Sequence, residues 1–306
     1  MKELGDNIWE VTPLDIALPC RDREAHKGDF GRVAILGGAV GYTGAPVLAA
    51  RGALRAGAGL VRVLVPDVVY PVVAAHLTCA MPCPLSSDVS GSGMGLVAVT
   101  AGLAKGVLAK GAFRPALEEL KKADAVLLGP GLTWERGPAE VCRKLTEALE
   151  CPLVLDADGI NALSGHIDVL DSHQGRLTVL TPHRREFIRL GAELEGLEPA
   201  QAARRFAVEH GCVLVLKGHR TVTALPDGRC FVNTTGNPGM ATGGSGDVLA
   251  GMILALLGQG LPAERAVPWA VCLHGQAGDE AAKRLGEYAM TPEDLLEAIP
   301  AVTKQF

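Results

Sequence analysis

The chemistry in this chain is concentrated in one run, Asn233-Thr234-Thr235-Gly236-Asn237-Pro238-Gly239-Met240-Ala241-Thr242-Gly243-Gly244-Ser245-Gly246-Asp247, which leads straight into the apolar stretch Val248 to Leu257. Gly243, Gly244 and Gly246, with Ser245 among them, would expose backbone N–H groups, and the start of a helix adds a positive partial charge. Together these features make an anion hole. Asp247 stands in the first helical turn, where an acid ordinarily complements the helix dipole. Beside a phosphate-sized nest, however, a carboxylate opposes anion binding unless it has a task. Accepting the proton of an alcohol that attacks a phosphate is such a task, and it is the logic of a small-molecule kinase.

The other candidate residues follow short aliphatic runs. Gly37-Gly38-Ala39-Val40-Gly41-Tyr42-Thr43-Gly44-Ala45 follows Leu36 and opens a helix, without dinucleotide-fingerprint spacing. Gly129-Pro130-Gly131-Leu132 follows Leu128 as a sharp turn. After Leu155 comes Asp156-Ala157-Asp158-Gly159, whose acids suit a metal, a ribose or an N-cap. Thr181-Pro182-His183-Arg184-Arg185-Glu186 follows Leu180 and sets a histidine where a strand should end. Lys217-Gly218-His219-Arg220-Thr221 follows Leu216, where a lysine and backbone amides could meet phosphates.

The elements that must position these loops are legible. Val33–Leu36, Val61–Val65, Ala125–Leu128, Leu153–Leu155, Leu177–Leu180 and Val213–Leu216 mostly lack polar alternation. Such runs suit strands buried on both faces of a largely parallel sheet. Helix-compatible stretches lie at Ala45–Ala56, Arg114–Lys122, Pro138–Leu149 and Pro199–His210. Thr221–Leu225 and Arg229–Val232 read as a hairpin turning at Asp227-Gly228. Helices are expected at Val248–Leu257, Pro262–Leu285 and Pro292–Ile299. The class is α/β, a mostly parallel central sheet with helices on both faces. In such sheets ligands bind beyond the carboxyl ends of strands, where all the candidate loops fall. The glycine-rich stretch Ser90–Gly111 lacks the Lys-Ser/Thr ending of a P-loop and reads as a small-residue helix close to the sheet.

The chain has 306 residues, 48% of them hydrophobic, and a formal net charge of -5. That balance, with no Lys/Arg-rich block and only three Trp, three Tyr and six Phe, argues against nucleic acid as a partner. The longest uncharged run, Val68–Ser87, contains Pro71, Pro82 and Pro84 and makes a poor membrane span. Charges recur through Met1–Arg32, without a secretory h-region. The eight cysteines show no CxxC pair and no zinc spacing, so reduced thiols in a cytoplasmic protein are expected. No linker or repeat divides residues 1–306, and one domain is expected.

Taken together, Lys27-Gly28-Asp29-Phe30-Gly31-Arg32, Gly41-Tyr42-Thr43-Gly44-Ala45, Gly129-Pro130-Gly131-Leu132, Leu155-Asp156-Ala157-Asp158-Gly159, Thr181-Pro182-His183 and the Asn233–Asp247 run resemble the ADP/ATP-dependent NAD(P)H-hydrate dehydratases of the ribokinase-like superfamily. The resemblance implies repair of the S-epimer of hydrated NADH or NADPH. The C6 hydroxyl would be phosphorylated from ADP or ATP and then eliminated as phosphate, with AMP formed from ADP. It further implies that Ala45, Gly131, His183 and Asp247 line the hydrate site, and that Asp247 is the base. Lys217, Gly218, His219, Arg220, Thr221, Gly243, Gly244, Ser245 and Gly246 would hold the nucleotide, which arrives with Mg²⁺ on metal ligands that stay unassigned. A homo-oligomer and a separate epimerase as functional partner are also expected. The Lys27–Arg32 block falls within about 30 residues of the first residue, and no epimerase domain is expected in residues 1–306. The family usually has Pro-Gly-Glu after its Thr-Pro-His; here Arg184-Arg185-Glu186 follows. The competing reading is a ribokinase-like kinase of a vitamin precursor or sugar alcohol, and a nucleotide-binding regulator without turnover is the non-enzymatic one.

Overall fold

Within each central strand, successive residues enter two different cores. In the computed structural model, Val33, Ile35, Val61, Val63, Ala125, Leu127, Val154, Val179, Val213 and Val215 face one buried cluster, while Ala34, Leu36, Leu64, Val126, Leu128, Leu153, Leu155, Leu180 and Leu214 face the other. Side chains of a strand alternate between faces, so an uninterrupted apolar run requires cover on both sides. The structure describes residues 1–88, 106–173, 175–304 and 306.

The strands are β1 (Lys2–Gly5), β2 (Ile8–Val11), β3 (Arg32–Leu36), β4 (Leu60–Pro66), β5 (Met81–Leu85), β6 (Ser87–Asp88), β7 (Val107–Leu108), β8 (Ala125–Leu128), β9 (Leu153–Leu155), β10 (Thr178–Leu180), β11 (Val213–Leu216), β12 (Val222–Ala224) and β13 (Cys230–Asn233). Eleven of them form one sheet in the order β1-β2-β13-β12-β11-β10-β9-β8-β3-β4-β5. From β11 to β5 every pairing is parallel, and the β12–β13 hairpin adds antiparallel strands, as expected. Helices Gly44–Arg55, Ser245–Gly258, Ala263–Leu285 and Pro292–Thr303 cover one face; Phe113–Leu120, Arg136–Ala148 and Pro199–Glu209 cover the other.

Most of the small-residue helix expected over Ser90–Gly111 lies outside the described residues. Its end is not helical: Val107–Leu108 pairs with β6, and Lys110–Ala112 is one 3₁₀ turn. The Lys27–Arg32 block lies at the amino end of β3, away from the loops at its carboxyl end. Gly31, at φ +82°, abuts the carbonyl of Gly258, so a side chain there has no room. This block therefore fixes the far end of the helix whose first turn carries Asp247.

Candidate active site

Five loops converge beyond the carboxyl ends of β3, β8, β9, β10 and β11. Gly131 is buried at φ +66°, and a β-carbon there would stand 2.7 Å from the Tyr42 carbonyl and 3.2 Å from Ala45 Cβ. Ala45 and Gly131, both expected at the hydrate site, are thus neighbours. A cleft of ≈ 220 Å³ opens beside them, lined by Thr43, Gly44, Leu48, Gly243, Pro292 and Glu293 among others.

The start of helix Ser245–Gly258 is built as the glycines require. Gly244 is its N-cap at φ +106°, with Leu48 and Pro292 packed where a side chain would go. Gly243 is exposed, and a β-carbon there would meet nothing within 4 Å. At Gly246 the nearest atom would be Lys217 Nζ, at 3.2 Å. The structure therefore brings the Lys217 loop and the glycine nest together. Ser245 is buried, with its hydroxyl 3.3 Å from that of Thr242 and its carbonyl 2.9 Å from His274 Nε2. His274 comes from helix Ala263–Leu285, and nothing in its local sequence marks it. Burial, with Lys217 nearby, depresses its pKa to about 4, so the ring is neutral and donates Nε2–H to the Ser245 carbonyl.

Lys217 Nζ donates to Asp156 Oδ1 at 2.8 Å, and the same oxygen accepts from Thr181 Oγ1 at 2.6 Å. Burial works against the ammonium, but Asp156, then Glu186, the hydrogen bond to Asp156 and Asp247 outweigh it and hold its pKa above the usual lysine range. Asp156 is 1% exposed and so closed to solvent, and the N-cap of the short helix Asp158–Asn161 is Ala157. Gly218 N–H meets Thr221 Oγ1 at 3.3 Å, which in turn donates to the Gly218 carbonyl at 3.0 Å, closing the loop on itself. Gly218, His219 and Arg220 are exposed; Arg220, at φ +56°, pairs with Glu10 at 3.5 Å. Of this loop, only Lys217 reaches inward to the carboxylates.

Asp247 is half-buried. Burial first, then Asp156, push its carboxyl up to about 7; Lys217 pulls the other way, and Asp158 and Glu186 add to the rise. Glu186 is buried and raised by that burial, with Lys217 and the His183 N–H opposing. Three carboxylates thus share one ammonium. Ala157 holds φ +48°, an unfavourable conformation for a residue with a β-carbon, between Asp156 and Asp158. Asp158 Oδ2 accepts from Thr133 N at 2.8 Å and Oδ1 from Asn161 Nδ2 at 3.0 Å.

His183 caps the short helix Arg184–Arg189. Its Nδ1 accepts from Arg185 N at 3.1 Å and Glu186 N at 3.2 Å, while its own N–H donates to Glu186 Oε2 at 2.9 Å. His183 is therefore the N-cap of that helix. Because Nδ1 accepts two N–H groups, the proton of the neutral ring sits on Nε2. Half of that side chain is exposed, and its Nε2 lies 3.5 Å from Glu186 Oε1. Arg184 and Arg185 open the helix, and Glu186 keeps its place through the capping box.

A parallel sheet with a glycine nest, a helix N-terminus and an acid at its carboxyl edge defines a ribokinase-like protein. A ribokinase-like superfamily protein from Enterococcus faecalis superposes over 100% of this chain and 98% of its own, with TM-score 0.81 and 26% identity. The sequence model of NAD(P)H-hydrate dehydratase matches residues 33–301. The chain belongs to the NAD(P)H-hydrate dehydratase family. It is 42% identical over 291 residues to a bifunctional NAD(P)H-hydrate repair enzyme of Moorella thermoacetica, covering 94% of this chain and 52% of that one. It spans about half the length of the bifunctional relatives it matches. The ADP-dependent (S)-NAD(P)H-hydrate dehydratase of Bacillus subtilis is 31% identical over 98% of both chains. A structure of the ADP/ATP-dependent NAD(P)H-hydrate dehydratase from Bacillus subtilis, co-crystallized with ATP/Mg²⁺, matches with TM-score 0.75 and 29% identity over 94% of each chain.

Proposed function

We propose that this chain dehydrates the S-epimer of hydrated NADH or NADPH at the expense of ADP or ATP. The observation that carries the reading is Asp247: a carboxylate raised to about 7, in the first turn of a helix and one residue from Gly246. A base is most effective when its pKa lies near the working pH. Ionised Asp247 takes the proton of the C6 hydroxyl as that oxygen bonds to the terminal phosphorus of the nucleotide, and AMP or ADP departs. The C6–O bond then breaks with release of phosphate, C5 gives up a proton, and the C5–C6 double bond returns. The Gly243–Gly246 backbone and Lys217 supply positive charge where phosphate charge accumulates.

Among the described residues no three His, Cys, Asp or Glu are arranged to hold a metal alone. Asp156, Glu186 and Asp247 nonetheless leave surplus negative charge over Lys217, and their oxygens are the donors a hard cation prefers. Mg²⁺ that enters on nucleotide phosphates and keeps several waters would suit that set, with Glu186 the residue that would hold its water shell. When bound, it would neutralise charge on the transferring phosphate.

Recovery of absorbance at 340 nm from hydrated NADH or NADPH, with ADP and ATP supplied in turn, tests the reading. Reduced cofactor together with free phosphate is the expected product. A stable phosphoester without recovery of the chromophore would instead make the chain a small-molecule kinase. Among the described residues no helix is long and apolar enough to cross a membrane.

A further inference from the structure

The turn after β8 carries a feature that the hydrate and nucleotide assignments do not use. Trp134 exposes 59% of its surface, although a tryptophan ordinarily buries most of its ring. The ring is not loose. The Arg189 guanidinium lies 4.5 Å from its centroid, and that guanidinium also donates to Asn161 Oδ1. Asn161 Nδ2 donates to Asp158 Oδ1 at 3.0 Å, and Asp158 Oδ2 accepts from the Thr133 N–H at 2.8 Å. Thr133 adjoins Trp134 and holds φ +65°, so the chain of contacts returns to its starting point through a strained residue. An exposed indole is thereby held by an arginine that is itself anchored.

We propose that Trp134, backed by Arg189, is the seat of the adenine ring of the hydrated dinucleotide; this rests on the proposed function and places the far end of that substrate. A fixed indole with a cation against it is a stacking platform for a base, and ordering it in advance lowers the entropy cost of binding. The platform lies beside the hydrate site. Trp134 is three residues beyond Gly131, and Arg189 ends the helix that His183 caps, a rise of roughly 9 Å over six residues. Asp158, in the same frame, adds its charge to the environment of Asp247. A dinucleotide carries its two rings at opposite ends of a pyrophosphate bridge, so one ring at Asp247 leaves the other to be met nearby. ADP and ATP carry adenine too, but their candidate residues, Lys217–Thr221 and Gly243–Gly246, come from β11 and helix Ser245–Gly258 and not from the β8–β9 side.

Steady-state kinetics of Trp134→Ala and Trp134→Phe against both substrates test the proposal. Trp134→Ala should raise KM for hydrated NADH and NADPH by ~5–100-fold, with kcat and the KM for ADP or ATP unchanged, and Trp134→Phe should restore most of the loss. Hydrated nicotinamide mononucleotide, which lacks adenosine, should be handled equally by wild type and Trp134→Ala. An unchanged hydrate KM in Trp134→Ala would overturn the assignment. A rise confined to ADP or ATP would give the platform to the donor nucleotide and overturn it as well. A titration with NADH separates this inference from the proposed function, because it needs no turnover. Among the three tryptophans, the emission of Trp134 should be quenched saturably, and that component should vanish in Trp134→Phe. Equal quenching in both proteins would refute the platform even in an active enzyme.

Discussion

Lys217 Nζ is hydrogen-bonded to Asp156 Oδ1 at 2.8 Å and also faces Gly246, where a β-carbon would come within 3.2 Å of it. One ammonium thus joins the end of β9 to the first turn of the helix that carries Asp247. Lys217→Met should leave Asp156 buried beside Thr181 without its partner. Breaking such a pair typically costs about 3–5 kcal/mol, which chemical denaturation would register. Lys217 also lowers the Asp247 pKa, so any activity that remains should have its acid limb moved to higher pH. A variant of wild-type stability and wild-type pH profile would remove Lys217 from the centre of the site.

Asp247 should set the acid side of the pH dependence. Its carboxyl is raised to about 7, so the proton is on below that value and the base is lost as pH falls through it. kcat should decline about tenfold per pH unit below the midpoint. Asp247→Asn should lower turnover by ~10²–10⁴-fold while nucleotide binding persists. The stability sign is the reverse of an ordinary salt-bridged acid. A carboxyl whose folded pKa is raised is destabilising when ionised, from its unfolded pKa upward and fully above about 7. Asp247→Asn should therefore be more stable than wild type at pH 8, by about 1–3 kcal/mol, and the difference should shrink toward pH 5. Equal melting temperatures at both pH values would contradict the burial argument.

The three nest glycines should separate by position. Gly244 is at φ +106° with Leu48 2.6 Å from a β-carbon, so Gly244→Ala should destabilise the fold. Gly243 has no such neighbour, so Gly243→Ala should leave the melting temperature near wild type. A nucleotide lying over that exposed backbone would still meet the added methyl. The expected pattern is a raised KM for ADP or ATP in Gly243→Ala without loss of stability. Gly246→Val should weaken nucleotide binding by crowding Lys217, and calorimetry showing wild-type affinity would place the nest elsewhere.

His183 offers a way to separate capping from substrate contact. Asparagine can supply the acceptor for Arg185 N–H and Glu186 N–H but has no group at the position of Nε2. His183→Asn should keep stability near wild type and raise the hydrate KM more than the KM for ADP or ATP. His183→Ala should lose the cap as well, by about 1 kcal/mol. Unchanged kinetics in His183→Asn would leave the ring as a cap alone.

The strands of the sheet centre were legible because burial on both faces forbids polar residues, as in Ala125–Leu128 and Val213–Leu216. The edges were not. β5 reads Met-Pro-Cys-Pro-Leu, and prolines survive in it because it pairs with β4 alone in the sheet order. β1 is exposed throughout and carries no apolar signal. Within the site, glycine turns and the acid at a helix start announce themselves locally. Lys217 with Asp156, His274 with Ser245, and Arg189 with Trp134 do not, since each pair is distant in sequence and joined only by the tertiary fold.

His274 carries the last prediction. Its Nε2 lies 2.9 Å from the Ser245 carbonyl, and the ring is buried and neutral with a pKa near 4. Ser245 is the first residue of the helix, two before Asp247, so the ring clamps the turn that orients the base. Loss of the donor removes the second hydrogen bond of a buried carbonyl that already accepts within its own helix, at a cost of about 0.5–1.5 kcal/mol. His274→Leu should thus lose both stability and kcat. Stability alone would not distinguish a clamp from general packing, but glutamine does. Its amide can reach a position close to that of Nε2, and His274→Gln should recover more of kcat than of melting temperature. Substrate KM values should move little in either variant, because the affected group acts on the transition state through Asp247. The acid limb should shift in His274→Leu as Asp247 changes its distance from Lys217, Asp156, Asp158 and Glu186. A His274→Leu enzyme of reduced stability but unaltered kcat and pH profile would make the histidine a packing residue.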